Sequence, residues 1–330
     1  MTSARFGSLA FLCVASLASA QDASGPRVRE AVVTAIPGVV AAGARWTLAW
    51  QGTDNADGLV GTPDGGLLFA QEQPSRVRKL DADDRVSVFV DDTHGTGSLA
   101  LDAQGRLVAV QRTCTDPGLN GAPCNEPTAI AVIHPVAERR TLATAINGRS
   151  LGRINDLVVD ARGGAYFTSG GAFYVSRAGV VTTVGENLRT NGIMLSRDER
   201  TLYVTNGPVV VAFDVMADGS TRNQRDFGRL EGGGGGDGLA IDAEGRLYVT
   251  SNPGVQVLGA DGKYLGLIPT PRPVISVAFA GREKGALYVV GSGALNSDGT
   301  EATTPQGVRN NAKTIFRLPM LARGFGGRSK

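Results

Sequence analysis

Asp237-Gly-Leu-Ala-Ile-Asp-Ala-Glu-Gly-Arg-Leu-Tyr-Val249 is the clearest copy of a phrase that recurs along this chain of 330 residues. Each copy has a polar or small residue, a short apolar run, often an Asp, then a turn and a second β-rich run. The other copies start at Asp57, Gly97, Asn155, Asn191 and Ser276. Successive starts lie 40, 58, 36, 46 and 39 residues apart. A period of about 40 to 45 residues is typical of a propeller blade, so we expect an all-β chain, a six-bladed β-propeller of four-stranded antiparallel blades.

Turn signals separate the apolar runs. Pairs such as Asp218-Gly219, Glu244-Gly245 and Asp261-Gly262 supply the positive φ angles that tight hairpins need. The longest interval holds Cys114 and Cys124 in a stretch rich in Pro, Gly and Asn. We interpret this stretch, near residues 112–128, as an insertion between blades. One disulfide is the favoured state of the two cysteines, because a zinc site would need further Cys or His ligands nearby.

The two ends of the chain predict export and ring closure. Residues 1–20 have the pattern of a signal peptide, with basic Arg5, an apolar segment and Ala18-Ser19-Ala20 before the cleavage point, which predicts a periplasmic or secreted protein. Residues 21–44 are expected to form a tail or lead-in strand, 45–320 the propeller, and 321–330 a loose C-terminal tail. An early strand commonly completes the last blade, and the candidates are Trp46-Thr-Leu-Ala-Trp50 and Thr314-Ile-Phe-Arg-Leu318.

Charge and composition exclude several classes of partner. The formal net charge is only +2, and acidic and basic residues are mixed along the chain, which argues against nucleic acid or an anionic membrane as the partner. No later segment approaches the roughly 18 continuous apolar residues of a membrane span, so a soluble protein is expected. The oligomeric state does not follow from the sequence.

Two common catalytic arrangements lack support. One stretch, Gly148-Arg149-Ser150-Leu151-Gly152, has the G-x-S-x-G spacing, but a nucleophile elbow needs a strand-turn-helix context that an all-β chain does not offer, which argues against such a hydrolase. The histidines are His94 and His134, and their surroundings predict a loop and a strand end rather than a catalytic dyad.

A set of carboxylates and amides remains as the candidate site. Asp57, Asn155, Asn191 and Asp237 lead four of the six phrases, and equivalent positions in a propeller converge near its axis. Hard oxygen ligands of this kind suit Ca²⁺, Mg²⁺ or Mn²⁺. The alternative for each residue alone is structural, because Asn or Asp before Gly commonly serves a turn or caps a strand.

Three stretches of the chain also resemble a known family. They are Arg153-Ile-Asn-Asp-Leu-Val-Val-Asp160, Asn191-Gly-Ile-Met-Leu-Ser196 and the phrase at Asp237. Together they look like the regucalcin and gluconolactonase family of six-bladed propeller lactonases, over roughly Trp46 to Val290.

The resemblance implies roles for individual residues. Asp57, Asn191 and Asp237 would hold a divalent metal cation, with Ca²⁺ favoured over Zn²⁺, Mg²⁺ or Mn²⁺. Asn155 would lie close by, on the metal or on the substrate, and Arg153 would bind the substrate. Asp237 would also act as general base, so that a small-molecule lactone is hydrolysed to its hydroxy acid through a polarised carbonyl and an activated water.

Two departures from the family keep other functions open. Asp57 stands where the family usually has Glu, and Gly171-Ala-Phe-Tyr174 stands where some relatives place an acidic substrate contact. Phe173 and Tyr174 would favour a flatter, more apolar substrate if they line the mouth, or they pack between blades. Since fold and ligands do not fix a reaction, a metal-dependent isomerase or lyase and a non-catalytic ligand-binding propeller with a structural Ca²⁺ remain alternatives.

Overall fold

The computed structural model describes Met1 and residues 28–112, 127–232, 234–302 and 311–327. The signal peptide expected at residues 1–20 and the two cysteines of the expected disulfide lie outside these residues. Within them, six four-stranded antiparallel sheets follow one another, which confirms the predicted six-bladed β-propeller. Two single 3₁₀ turns, Val136–Glu138 and Arg282–Lys284, are the helical elements of the described chain.

The strands follow the order of the sequence. The chain enters through β1 (Thr47–Gln51). The first blade contains β2 (Leu59–Gly61), β3 (Leu67–Gln71), β4 (Arg76–Leu80) and β5 (Val86–Asp91). The second contains β6 (Thr96–Leu101), β7 (Leu107–Gln111), β8 (Ala129–His134) and β9 (Arg140–Ala143). A small hairpin, β10 (Ala145–Ile146) and β11 (Arg149–Ser150), leads to the third blade.

The third blade contains β12 (Leu157–Val159), β13 (Ala165–Ser169), β14 (Gly171–Val175) and β15 (Val181–Val184). The fourth contains β16 (Thr190–Leu195), β17 (Thr201–Asn206), β18 (Val209–Val215) and β19 (Thr221–Arg229). The fifth contains β20 (Leu239–Ile241), β21 (Leu247–Ser251), β22 (Gly254–Leu258) and β23 (Tyr264–Pro269). The sixth takes β24 (Val274–Ala280), β25 (Ala286–Ser292) and β26 (Ala312–Pro319) from the end of the chain.

The ring is closed by a strand from the start of the chain. β1 pairs with β26 as the fourth strand of the sixth blade, with Thr47 opposite Arg317 and Gln51 opposite Thr314. Both candidates named from the sequence therefore take part in closure. The two ends of the propeller are joined through main-chain hydrogen bonds, so the sixth blade combines one strand from before the first blade with three strands that follow the fifth.

The hydrophobic core lies between neighbouring blades. One cluster joins Tyr248 and Val257 of the fifth blade to Phe279 and Leu287 of the sixth, and the Tyr248 and Phe279 rings meet edge to face at 4.8 Å. The alternating apolar side chains of each sheet are buried by the sheets on either side. The first strands of the six blades contact one another around the axis, which makes them the innermost strands.

The Asp that ends several phrases serves the turn that follows. Asp102 accepts hydrogen bonds through Oδ1 from the main-chain N–H groups of Gln104 and Arg106, at 2.9 and 2.8 Å. Asp242 does the same for Glu244 and Arg246, at 3.0 and 2.9 Å. These carboxylates therefore shape the hairpins at the end of the inner strands opposite the leading residues.

Two expectations about chain organisation were wrong. The insertion expected between blades lies within the second blade, because its flanking strands β7 and β8 are paired neighbours in one sheet. Spacing between phrases cannot distinguish these two places. The C-terminal residues expected to be loose pack against the propeller as far as they are described: Ala322 is buried, and the main-chain N–H of Phe325 donates to the Ile241 carbonyl at 3.2 Å.

The lead-in before β1 also packs against the propeller. Val33, Ile36, Val39 and Val40 are buried in the cluster between the fifth and sixth blades. In the parts of the chain that the structure describes, no helix has the length and apolar character needed to cross a membrane.

The closing strand predicts a measurable stability effect. Ile315 in β26 is 0 % exposed and packs between β25 and β1. Replacing a buried Ile by Ala leaves a cavity, so we expect Ile315→Ala to lower the free energy of unfolding by about 2 to 5 kcal/mol. Urea unfolding followed by circular dichroism measures the change.

The matched control is Val180→Ala in the turn before β15, where the side chain is exposed. We expect this control to unfold at nearly the wild-type urea concentration. Equal effects of the two substitutions would contradict a closing strand that is packed into the core.

Candidate functional site

The leading residues of the phrases meet at one end of the inner strands. They line a cavity of about 20 Å³ on the ring axis, to which Asp57, Asn155, Asn191 and Asp237 all contribute. A cavity of this size has room for one water molecule or one ion. The structure therefore brings together the four polar residues that the sequence singled out.

Equivalent main-chain hydrogen bonds hold three of these residues. The N–H groups of Asp57, Asn155 and Asp237 donate to the carbonyls of Ala70, Thr168 and Thr250 in the second strands of their own blades. The N···O distances are 2.9, 2.8 and 2.9 Å. The Asn191 N–H donates instead to the Thr205 hydroxyl at 3.3 Å. The repeat thus fixes the main chain of Asp57, Asn155 and Asp237 in the same way, and a side-chain hydroxyl takes the place of the carbonyl at Asn191.

The sixth phrase is shifted by one residue from its expected start. The Gly58 N–H donates to the carbonyl of Gly97, and the Gly238 N–H donates to the carbonyl of Ile275. Ile275, rather than Ser276, is therefore the sixth leading residue. The leading position of the sixth copy holds an apolar residue, Ile275, where the other copies have a polar residue or Gly, so the pattern of a polar or small start selected Ser276 instead. The register change between Val274 and Ser276 has counterparts in β6 and β16.

The glycines that directly follow Asp57, Asn191 and Asp237 do not form turns. Gly58, Gly192 and Gly238 have no positive φ. A Cβ on Gly192 would lie 2.1 Å from the Asp237 carbonyl oxygen, and one on Gly238 would lie 2.8 Å from that of Ile275. These glycines are therefore needed because the inner strands of neighbouring blades approach closely, which removes the structural alternative of a turn at Asp57, Asn191 and Asp237.

A second, larger cavity adjoins the first. Its volume is about 280 Å³, and it shares Asp57, Asn155, Asp237 and Ile275 with the small cavity. Arg112, Arg153, Ser292, Asn311 and Ala312 complete its lining. It is large enough for a small organic molecule, and the shared residues place such a molecule directly beside the ion-sized space.

Sequence reasoning missed two charged residues of this site, Glu72 and Arg112. Glu72 is 0 % exposed and Arg112 2 % exposed, and the guanidinium bonds both carboxylate oxygens at 2.9 Å. Arg153 also pairs with Glu72, at 2.9 and 3.1 Å. One buried carboxylate therefore holds two guanidinium groups at the wall of the larger cavity.

Both residues occupy the same place in adjacent blades. Glu72 directly follows β3 and Arg112 directly follows β7, two strands that are almost entirely buried. A charged residue immediately after an apolar strand, in two successive blades, is the signal in the sequence that could have identified the pair.

Arg112 also binds Asp57, the expected metal ligand. Its Nη2 donates to Asp57 Oδ2, and the Ser276 hydroxyl donates to Asp57 Oδ1 at 3.2 Å. Burial raises the pKa of Asp57 to about 6, although the Arg112 charge opposes the shift. For Arg112, burial alone would lower the pKa, but the charges of Glu72 and Asp57 outweigh it and raise the pKa above its ordinary value.

A buried carboxylate beneath the site joins three blades. Asp156 Oδ1 accepts from the Ser98 hydroxyl at 2.7 Å, and Oδ2 accepts from the Ile193 N–H at 3.0 Å. Since both oxygens are engaged by neighbouring blades, Asp156 acts as a fixed cross-link next to Asn155. The sequence placed it within the third phrase without assigning it a role.

The donor set fits a hard divalent cation. Asp57, Asp237 and the side-chain amides of Asn155 and Asn191 line an ion-sized cavity together with Asp156, whose oxygens are already bonded to Ser98 and Ile193. Oxygen ligands of this kind are those that Ca²⁺ and Mg²⁺ prefer. Among the described residues no group of three or more His, Cys, Asp or Glu side chains is placed to hold a metal. A cation site here therefore depends on the amides of Asn155 and Asn191 as well as on Asp57 and Asp237.

Other candidates from the sequence lie outside the site. Neither His94 nor His134 lines either cavity. Tyr174 is buried and donates to Asp160 at 3.0 Å, while the Phe173 ring stacks on Phe167 at 5.3 Å. Both aromatic residues pack within the propeller, so they give no indication of an apolar substrate.

Comparison with known proteins agrees with this architecture. Residues 56–293 match the model of the family described as SMP-30/Gluconolactonase/LRE-like region. The gluconolactonase of Zymomonas mobilis is 25% identical over 280 residues, which cover 72% of this chain and 76% of that protein. The lactonase drp35 of Staphylococcus saprophyticus is 33% identical over 150 residues, which cover 40% of this chain and 44% of that protein.

Solved structures show the same fold. A gluconolactonase from Xanthomonas campestris has a TM-score of 0.67 at 23% identity, covering 91% of this chain and 96% of its own. Regucalcin from Agrobacterium tumefaciens, described as a calcium-binding protein, has a TM-score of 0.60 at 17% identity, covering 82% and 91%. With a family match that spans most of the propeller, the chain belongs to the SMP-30/gluconolactonase/LRE-like family, as its sequence resemblance predicted.

Proposed function

We propose that this chain is a metal-dependent lactonase that hydrolyses a small lactone to its hydroxy acid. The observation that carries the proposal is the junction of two cavities, one ion-sized and one substrate-sized, through Asp57, Asn155 and Asp237. Lactonases among the relatives support the reaction class. The expected periplasmic or secreted location remains a prediction from residues 1–20.

The residues proposed to hold the cation are Asp57, Asn191 and Asp237, with Asn155 on the cation or on the substrate. All four offer oxygen donors, which favours Ca²⁺ and leaves Mg²⁺, Mn²⁺ and Zn²⁺ as alternatives for the test below. When bound, a divalent cation would polarise the lactone carbonyl and stabilise the negative charge that develops on its oxygen.

Asp237 is the proposed general base. It lines both cavities, so its carboxylate lies where a water molecule would meet a lactone held in the larger one. A carboxylate in this position orients the water and accepts its proton as the water attacks the carbonyl carbon.

Arg153 is the proposed substrate contact. It lines the larger cavity, and Glu72 holds its guanidinium through a hydrogen bond to Oε2 and an ion-pair contact with Oε1. A guanidinium whose direction is fixed beforehand donates to a lactone oxygen without first losing side-chain freedom. The proposed general base, Asp237, therefore lies on the fifth blade, and the proposed hydrogen-bond donor to the substrate, Arg153, lies on the segment that leads into the third.

The adjoining cavity also bears on the non-catalytic alternative. A purely structural Ca²⁺ needs no organic ligand beside it, whereas the larger cavity shares three of the four polar residues with the small one. This arrangement favours an enzyme over a propeller with a structural ion.

Removal of the base provides the first test. We expect Asp237→Asn to lower kcat by about 100-fold or more, because an amide retains an oxygen donor but cannot accept the proton. Acid release from a panel of aldonolactones and simple γ- and δ-lactones, followed in a pH-stat, measures the rate. Chelator-stripped enzyme should be inactive until one of the four cations is restored.

The control for this test is Asp261→Asn in an exposed hairpin, where the carboxylate pairs with Lys263 at 2.9 Å. Wild-type rates in Asp261→Asn together with wild-type rates in Asp237→Asn would overturn the assignment of the base. If the wild-type protein binds a cation tightly but releases no acid from any lactone, the isomerase or lyase alternative is favoured over the lactonase.

Arg153 provides the second test. We expect Arg153→Met to lower kcat/KM by about 10- to 100-fold, the loss typical of one charged hydrogen bond. The fold should persist because Glu72 retains Arg112 as a partner. Steady-state kinetics on the best lactone from the panel measures the loss, and an unchanged kcat/KM would remove Arg153 from the substrate site.

A further inference from the structure

We propose that Arg112 is a positioning residue, anchored by Glu72, that fixes Asp57 and the main chain at Asn155 for cation binding. The inference rests on the proposed function, since it concerns the same site. Arg112 belongs to the second blade, which contributes no carboxylate or amide through its own leading residue, Gly97. Its guanidinium instead donates hydrogen bonds to Asp57 of the first blade and to the carbonyl of Asn155, which leads the third.

The hydrogen bonds of Arg112 define this role. Nε and Nη2 donate to the two oxygens of Glu72, and Nη2 donates also to Asp57 Oδ2. Nη1 donates to the carbonyls of Ile154 and Asn155, at 3.1 and 3.4 Å. A guanidinium has five N–H groups, and these contacts supply five acceptors. Arg112 therefore has no donor left for a substrate, and it acts through the residues that it holds.

The cavity wall is built around this guanidinium. A Cβ added to Gly97 would lie 1.9 Å from Arg112 Cζ and 2.0 Å from Nη2. The guanidinium of Arg112 therefore fills the space that a side chain on Gly97 would occupy. This explains why the second phrase begins with Gly while its neighbours on either side begin with Asp57 and Asn155.

Glu72 makes a buried guanidinium compatible with a cation nearby. A positive charge beside a cation site repels the cation, and burial strengthens the repulsion. Glu72 is fully buried and bonds Arg112 through both oxygens, so it supplies a negative charge in direct contact with the guanidinium. The Glu72–Arg112 pair positions Asp57 through its Oδ2 atom. The other oxygen, Oδ1, is not bonded to the guanidinium but accepts from the Ser276 hydroxyl.

Two substitutions separate position from charge. Arg112→Lys keeps the positive charge but cannot bridge Glu72, Asp57 and the Ile154 carbonyl in one plane. Gly97→Ala keeps every charged residue and displaces the guanidinium by steric overlap. We expect each variant to bind Ca²⁺ about 10- to 100-fold more weakly, the loss typical when a group that orients metal ligands is removed.

The experiment is calorimetric titration of chelator-stripped full-length protein with Ca²⁺, and with Mg²⁺, Mn²⁺ and Zn²⁺ in parallel. The melting temperature with and without each cation identifies variants that do not fold. Arg246→Met is the matched control, because it removes the partner of a buried carboxylate, Asp242, at the opposite end of the same inner strand from Asp237. We expect this control to lose stability but to retain cation affinity.

Wild-type cation affinity in folded Arg112→Lys or folded Gly97→Ala would overturn the proposal. So would tighter binding in the double variant Glu72→Leu/Arg112→Met, which would show that the guanidinium only competes with the cation. Wild-type protein that binds none of the four cations would overturn it as well. Because affinity is measured without a lactone, weaker binding in both variants supports Arg112 even if no lactone is turned over, so failure of the lactonase assignment alone leaves this test unaffected.

Discussion

The close approach of six inner strands around one axis is the constraint on which the rest of the structure depends. Neighbouring inner strands are so near that a Cβ on Gly58 would lie 2.6 Å from the Ser98 main chain, and one on Gly192 would lie 2.1 Å from that of Asp237. Only a residue without a side chain is tolerated at these two positions, whereas the equivalent positions of the second and third blades hold Ser98 and Asp156, which bond to each other. The residue directly before each of these glycines lines the axial cavity, so the packing that closes the ring also gathers the polar groups.

The gathered groups form an ion network rather than a set of separate carboxylates. Burying a charge is costly unless it is paired and hydrogen-bonded, and Glu72 satisfies this requirement for Arg112 and Arg153 together. Arg112 then extends the network to Asp57. Burial raises the pKa of Asp57 and the Arg112 charge lowers it, and burial is the larger of the two effects.

Much of the fold and part of the site could be predicted from the sequence. The phrases located all six inner strands and four of the polar residues that line the axial cavity, because each phrase is a local pattern of apolar alternation and turn chemistry. The start of the sixth phrase was misplaced by one residue because its leading position holds apolar Ile275, where the other copies have a polar residue or Gly. The insertion at residues 112–128 was misplaced because spacing does not show which strands pair.

By itself the sequence determined the repeat, the strands within it and the identity of the leading donors. These features depend on interactions over a few residues, such as Asp242 accepting the N–H groups of Glu244 and Arg246. Only the tertiary structure decided which charged residues pair. Glu72 bonds Arg112, which is 40 residues away in the sequence, and Arg153, which is 81 residues away. No local pattern encodes those pairs, since the distances between them are set by the ring, and the ring closes only when β1 pairs with β26.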